Sequence, residues 1–343
     1  MPPTKAPIRS AAALVLLLSP LGGLARAAQG AAPEAETLLN WALQPPTTDY
    51  RGRMLFLQWF GPRARADQVR LYRSGERSRR EYLAPDGSLK RVIISDGDKQ
   101  VVQFVKKGRL LQGDAVGSRE KLMSPKQERA LLLKNYRLSA SGPESVAGRP
   151  CWLLKIVPRA AGKPEQTLWL DQETHVLLEN KRALPGKPLA AMVLYTSFKP
   201  EDSLPDSLFA LNLSSAPLRP VLAPEFLTLA QLNAQTGNAL KLPGVLPGGF
   251  EFESADHFTV RRSIVRHARY TDGLTVLSLF LTDKPVRMPR GGSSEGLASA
   301  SLRLSSAGSV LRWRRGRVHY TLLGDVTKEL LQNVARALIA ASR

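Results

Sequence analysis

Between Ser145 and Lys181 the chain reads SVAGRPCWLLKIVPRAAGKPEQTLWLDQETHVLLENK, and few arrangements accommodate such a stretch. Val146-Ala147-Gly148-Arg149-Pro150 is a turn, since Gly tolerates positive φ and Pro sets the φ that follows. The apolar run Cys151 to Val157 is then a strand, ended by Pro158. A polar loop through Gly162 and Pro164 reverses the chain into a second strand, Thr167-Leu168-Trp169-Leu170, closed by Asp171. A third strand starts at His175 and runs through Glu179. Three short runs with loops of a few residues are an antiparallel meander.

The same spacing recurs upstream. Gly61-Pro62, Ser74-Gly75, Pro85-Asp86-Gly87 and Asp96-Gly97 punctuate the chain every 8 to 12 residues or so, which predicts strands at 53–60, 68–73, 79–83, 90–95 and 100–106. Asp96-Gly97-Asp98 is a tight turn, because the later carboxylate of a calcium loop is missing. Helices are predicted at 35–43, stopped by Pro45-Pro46, and at 124–133, where Ser124 caps and Pro125 opens the first turn. One more strand, 190–198, completes an α+β unit over 34–200: a curved antiparallel β-sheet with helices on one face. An apolar concave face cannot stay in water, so helices fill it or a groove remains for an acyl chain or apolar peptide. Trp59, Tyr72, Phe104, Trp152 and Trp169 are the candidate groove walls, with core packing as the plain alternative for each.

Residues 201–224 change character, with prolines among Ser, Asp and Leu and no periodicity, and read as a linker. A second, smaller α+β domain occupies 225–343. It holds a helix at 225–237, the turn Leu246-Pro247-Gly248-Gly249-Phe250, a strand at 259–269, the turn Thr271-Asp272-Gly273 and a strand at 274–280. A Gly/Ser stretch at 291–296, strands at 310–313 and 317–323 and an amphipathic helix at 327–340 follow.

The first 27 residues place Lys5 and Arg9 before an apolar run, 11–24, and end in Ala25-Arg26-Ala27, the pattern of a cleaved secretory signal. The run is broken by Pro20, Gly22 and Gly23 and is too short to span a bilayer. No Cys follows it, which excludes a lipid-anchored lipoprotein. Removing 1–27 lowers the formal charge from +20 to +17. Such a balance favours anionic partners, which for an exported protein are lipid headgroups, lipopolysaccharide or acidic protein segments rather than nucleic acid. The lone cysteine, Cys151, allows no intramolecular disulfide.

No catalytic or metal motif survives inspection. Ser118-Arg119-Glu120-Lys121 fits S-x-x-K without a downstream K-T-G, and Gly292-Ser293-Ser294-Glu295-Gly296 fits G-x-S-x-G without the preceding strand of a nucleophile elbow. His175, His257, His267 and His319 are scattered, with no metal-ligand spacing. No nucleotide or dinucleotide loop is present, so the expectation is a non-enzyme without cofactor or metal.

Two segments together resemble a known family. V-A-G-R-P, an apolar strand ending in Pro, and L-W-L-D-x-x-T-x-x-x-L (residues 146–178) resemble the sheet shared by LolA-type lipoprotein carriers and the sigma-E regulators MucB and RseB. L-P-x-G-F at 246–250 and Y-x-D-G-L at 270–274 resemble the C-terminal domain of MucB/RseB. The resemblance implies a LolA-like half-barrel and a periplasmic location. It further implies a role as negative regulator of an envelope-stress sigma factor. Such a protein covers the periplasmic segment of a membrane anti-sigma factor, shields it from proteolysis, and is released by a lipid or lipopolysaccharide signal. A LolA-type lipid or lipoprotein carrier is the second reading; such carriers need only the first domain.

Overall fold

The predicted hairpins join into two sheets in the computed structural model. It describes residues 31–60, 63–97, 99–114, 122–184, 189–210, 218–220, 226–235, 241–260, 263–283, 301–305 and 308–341. The signal-like segment, the S-x-x-K and G-x-S-x-G matches, the 291–296 Gly/Ser stretch and most of the proline-rich segment after 210 lie outside the described residues.

In chain order the elements are α1 (Ala35–Leu43), β1 (Asp49–Phe60), β2 (Arg63–Ser74), β3 (Arg77–Leu83), β4 (Leu89–Asp96), β5 (Lys99–Phe104) and β6 (Arg109–Asp114). Next come α2 (Pro125–Asn135), β7 (Tyr136–Val146), β8 (Arg149–Pro158), β9 (Glu165–Asp171), β10 (Leu177–Ala183), β11 (Leu189–Glu201) and β12 (Leu218–Pro220). The last part holds α3 (Leu229–Gln235), β13 (Val245–Leu246), β14 (Phe250–Val260), β15 (Ser263–Thr271), β16 (Val276–Thr282), β17 (Ser301–Ser305), β18 (Gly308–Arg315), β19 (Val318–Gly324) and α4 (Lys328–Ala341). The fold is α+β, as expected.

Twelve strands form the first sheet in the order β12-β6-β5-β4-β3-β2-β1-β11-β10-β9-β8-β7, and seven form the second, β13-β14-β15-β16-β19-β18-β17. Helix α1 covers β7, β8 and β9, and α2 lies on β7. Together they bury Leu38, Leu39, Leu132, Tyr136, Leu154, Ile156, Leu168 and Leu170, with Trp152 packed at the margin. Each fully buried Leu or Ile contributes about 1.5–3 kcal/mol, so this cluster fixes the helices to one half of the sheet. In the second sheet, α4 lays Leu330, Leu331, Val334 and Leu338 on Leu311, Leu322 and Tyr270. Residues 32–343 pack as one compact unit. Among the described residues no helix is long and apolar enough to cross a membrane.

Several expectations are corrected. The third meander strand begins at Leu177, because His175 adopts φ 58° and belongs to the turn. The strand predicted to reach Lys106 ends at Phe104 in a 3-10 turn, and β6 follows unforeseen. Strand β7 was unread because its side chains are largely polar and exposed, and because Gly142 and Pro143 sit at its register shift. The single strand expected over 259–269 is two strands, β14 ending at Val260 and β15 starting at Ser263. The helix expected over 225–237 begins only at Leu229, and its described residues run to Gln235. The proline-rich segment is not free along its described length. Arg77 pairs with Asp206 at 2.7 Å, Arg79 donates to the Leu208 carbonyl, and Leu218–Pro220 pairs parallel with β6.

Candidate functional site

Two polar assemblies stand out, one where the sheets meet and one on an open face of the larger sheet. The first is built from the β8–β9 loop, the α2 end and the turn between β15 and β16. The Lys163 ammonium and the Asp272 carboxylate are both fully buried, 2.8 Å apart. The contact is ionic rather than an aligned hydrogen bond, and the ammonium also lies 5.2 Å from the Tyr136 ring centre and 5.3 Å from that of Phe250. Tyr136 donates its hydroxyl to Asp272 Oδ2 at 2.8 Å, while Oδ1 accepts the backbone N–H groups of Leu274 and Thr275. Burial and the adjacent Asp272 carboxylate push the Tyr136 phenol well above its ordinary value, keeping it a proton donor.

Around this centre the backbones interlock. Asn135 donates from Nδ2 to the carbonyls of Leu131, Gly249 and Asp272, and Thr327 N–H donates to the Gly162 carbonyl. Arg182 reaches Asp325 at 2.7 Å and donates to Thr275 Oγ1. Gly273 has φ +93°, and a Cβ there would run into the Leu132 amide nitrogen and the Glu128 carbonyl of α2. The Asp-Gly dipeptide is thus a β-turn and also the piece of the second sheet that docks beneath α2. Sequence reading placed Asp272 and Gly273 in a turn but missed this role. It placed Lys163 in a polar loop; nothing local marks a lysine that will be buried against a carboxylate 109 residues later.

A second buried carboxylate stays within the meander. Arg149 forks onto Asp171 with contacts of 2.6 and 2.8 Å, and Asp171 Oδ1 also accepts from Thr174. Burial works to raise the Asp171 pKa, yet the Arg149 and Thr174 hydrogen bonds hold it below its ordinary value. Cys151 beside it is buried; desolvation, then the Asp171 charge, push its thiol up to about 11.

The five aromatic positions divide by register. Arg51 lies opposite Tyr72, and Leu55 opposite Leu194, itself opposite Glu179, which faces Trp169. Residues directly opposite share a face, so Trp59, Tyr72 and Trp169 are on one side of the sheet. Phe104 traces through Arg91 and Tyr82 to Val69, and Trp152 lies opposite Leu170, which puts both on the other side. Trp169 is buried, donates Nε1–H to Glu144 at 2.8 Å and has the Lys181 ammonium 4.3 Å from its ring centre. Trp152 packs into the helix-covered core, and Trp59, Tyr72 and Phe104 are partly exposed. Tyr72 borders a hollow on the β2–β1–β11 face, the second assembly. A second niche of the same volume forms beside α1, where the His175 ring stacks on Trp41 at 3.6 Å. Among the described residues no three His, Cys, Asp or Glu side chains are grouped to hold a metal ion.

Comparison with known proteins places these features. The profile of the MucB/RseB N-terminal domain matches residues 35–189. The complex of MucA and MucB from Pseudomonas aeruginosa superimposes with a TM-score of 0.58 at 18% identity, over 88% of this chain and 96% of that one. MucB in complex with MucA(peri) gives 0.55 at 17% identity, over 88% and 97%. At such identities the likeness is one of fold, and it extends across both sheets. No curated protein matches the chain. Residues 35–189 thus match the MucB/RseB N-terminal domain, and the chain as a whole has the fold of the MucB structures.

Proposed function

We propose that the protein is a periplasmic negative regulator of an envelope-stress response. It binds the periplasmic segment of a membrane anti-sigma factor, shields it from regulated proteolysis, and lets go when a lipid or lipopolysaccharide signal binds. The observation that carries this reading is the second sheet. The chain does not stop after the family's N-terminal domain, as a simple lipid carrier would, but continues into seven further strands docked through Lys163 and Asp272. The MucB structures that share this two-sheet arrangement include complexes with MucA. Release requires a ligand that favours the free form over the complex, since only differential affinity shifts an equilibrium. Acyl burial at about 0.8 kcal/mol per methylene is a sufficient source.

The domain limits belong to the same proposal: 34–200 and 225–343 as two domains joined by the proline-rich segment, with cleavage near 200–222 expected in limited proteolysis. The function is tested by mixing the purified chain with synthetic periplasmic segments of membrane anti-sigma proteins from the same genome. Complex formation by calorimetry, and protection of the bound segment from added protease, are expected. Lipopolysaccharide fragments retaining acyl chains should dissociate the complex and deacylated ones should not. Absence of any complex, together with uptake of an acylated lipoprotein peptide, would replace the regulator by a LolA-type carrier.

A further inference from the structure

The seam between the sheets holds a nucleophile and an acyl carbon in contact. Lys163 and Asp272 are completely enclosed, with Nζ 2.8 Å from Oδ2 and no hydrogen bond aligned along that contact. The rings of Tyr136 and Phe250 flank the nitrogen at 5.2 and 5.3 Å. An ion pair gains most when its donor is aimed at the carboxylate. Here the nitrogen instead lies unaligned against a carboxyl group in apolar surroundings.

Both oxygens of that carboxyl group are already held. Oδ1 accepts the backbone N–H groups of Leu274 at 3.1 Å and Thr275 at 2.7 Å. Two backbone donors on one oxygen are the arrangement that stabilises the oxyanion of a tetrahedral acyl intermediate. Oδ2 accepts the Tyr136 hydroxyl at 2.8 Å, and that hydroxyl also lies 3.3 Å from Thr275 Oγ1. A hydroxyl on the second oxygen is placed to protonate a leaving group, and the raised phenol value keeps its proton in place. The β8–β9 loop, the start of β7 and the β15–β16 turn each supply one part.

We propose that Lys163 and Asp272 condense to an amide, a covalent clasp between the two sheets. One proton passes from Nζ to Oδ2 and turns the ion pair into an amine and a carboxylic acid; enclosure favours this because neither charge is solvated there. The Nζ lone pair then attacks Cγ, and the excess negative charge settles on Oδ1 under the two N–H groups. Tyr136 gives its proton to Oδ2 and regains one from Nζ. The Cγ–Oδ2 bond breaks, Oδ2 departs as water, and Nζ keeps its last proton as the amide N–H. Nothing beyond the two side chains is consumed. A desolvated lysine is a competent nucleophile, and fixed contact between reacting groups is equivalent to effective concentrations of up to about 10⁵–10⁸ M. The freshly folded chain holds the ion pair, and the amide accumulates afterwards. This assignment stands on the seam alone and does not depend on the anti-sigma reading.

Intact-mass spectrometry of the full chain, followed over days after purification, tests it. A species lighter by one water is expected, and digestion of it should release a branched peptide that carries both Lys163 and Asp272. Lys163→Met should abolish the mass loss, and Tyr136→Phe, which keeps the ring and removes the hydroxyl, should slow it at least tenfold. An Asp-Gly sequence can lose the same mass by closing onto the following backbone nitrogen; hydroxylamine cleaves that ring and leaves the amide intact. A water loss confined to Asp272-Gly273 therefore overturns the clasp, as does a parent chain that keeps its full mass while folded. An unchanged rate in Tyr136→Phe overturns the part given to the phenol.

Discussion

The seam between the sheets and the arginine face of the larger sheet use the same side-chain chemistry under opposite conditions. At the seam, Lys163 and Asp272 are fully enclosed and matched one to one, and both Asp272 oxygens are occupied by donors from α2's end and the β15–β16 turn. On the arginine face the side chains of Arg51 and Arg70 are 53% and 40% exposed, and cations outnumber carboxylates. Burial is what separates them. An unpaired charge inside a protein costs several kcal/mol, whereas water and counter-ions screen an excess at the surface. A surplus of charge is therefore affordable only on the open half of the sheet.

The comparison can be broken first at the seam. Asp272→Asn should cost about 3–5 kcal/mol, since it leaves the Lys163 ammonium buried without a counter-charge. Chemical denaturation measures this, and the double variant Lys163→Met/Asp272→Asn should recover part of the loss. Recovery of nothing would mean that the pair is not coupled as the 2.8 Å contact implies. Gly273→Ala should follow, losing about 1–3 kcal/mol from the unfavourable φ alone, plus the collision with α2. A variant as stable as the parent would show that the turn does not dock under Leu132.

Arg149 and Asp171 test a buried carboxylate that lies within one sheet. The folded-state pKa of Asp171 is depressed, so its contribution is present above the ordinary aspartate value of about 3.9 and is lost as pH falls through the lower folded value. Arg149→Gln should remove roughly 1.5–3 kcal/mol at neutral pH and flatten the acid limb of a stability–pH curve. An unchanged acid limb would contradict the fork. The smallest effect is expected on the arginine face, where Arg53→Gln should stay within about 0.5 kcal/mol of the parent. A loss of several kcal/mol there would erase the distinction between the two regions.

Much of the framework was legible because local chemistry and final packing agree. Helix α1 follows from Leu38 and Leu39 before Pro45-Pro46, and α2 from Ser124, which the structure shows in a capping box with Gln127. The β8–β9 hairpin follows from its apolar runs and intervening loop. Where the pattern misled, polar residues had been satisfied from elsewhere. Strand β14 carries Glu253, Ser254 and Asp256, all buried, with Arg269 on Glu253 and His267 on Asp256 supplying the partners. Such a run does not read as a strand until its neighbour is known. The aromatic positions were visible as residues but not as a surface, because two bulges and a twelve-strand register decide which side each one takes.

The sequence by itself determined the antiparallel class, the three long helices, the two-part order of the chain, its strong positive charge and the likeness of its first part to the MucB/RseB N-terminal domain. Turn residues, caps and apolar periodicity act over a few positions, so they can be read locally. Only the tertiary structure decided that Lys163 is enclosed by Asp272, that Gly273 is a docking point, and that Arg51, Arg53, Arg70 and Lys199 converge. Those are contacts between segments distant in the chain, and desolvation and cross-strand repulsion have no value until the register brings the charges together.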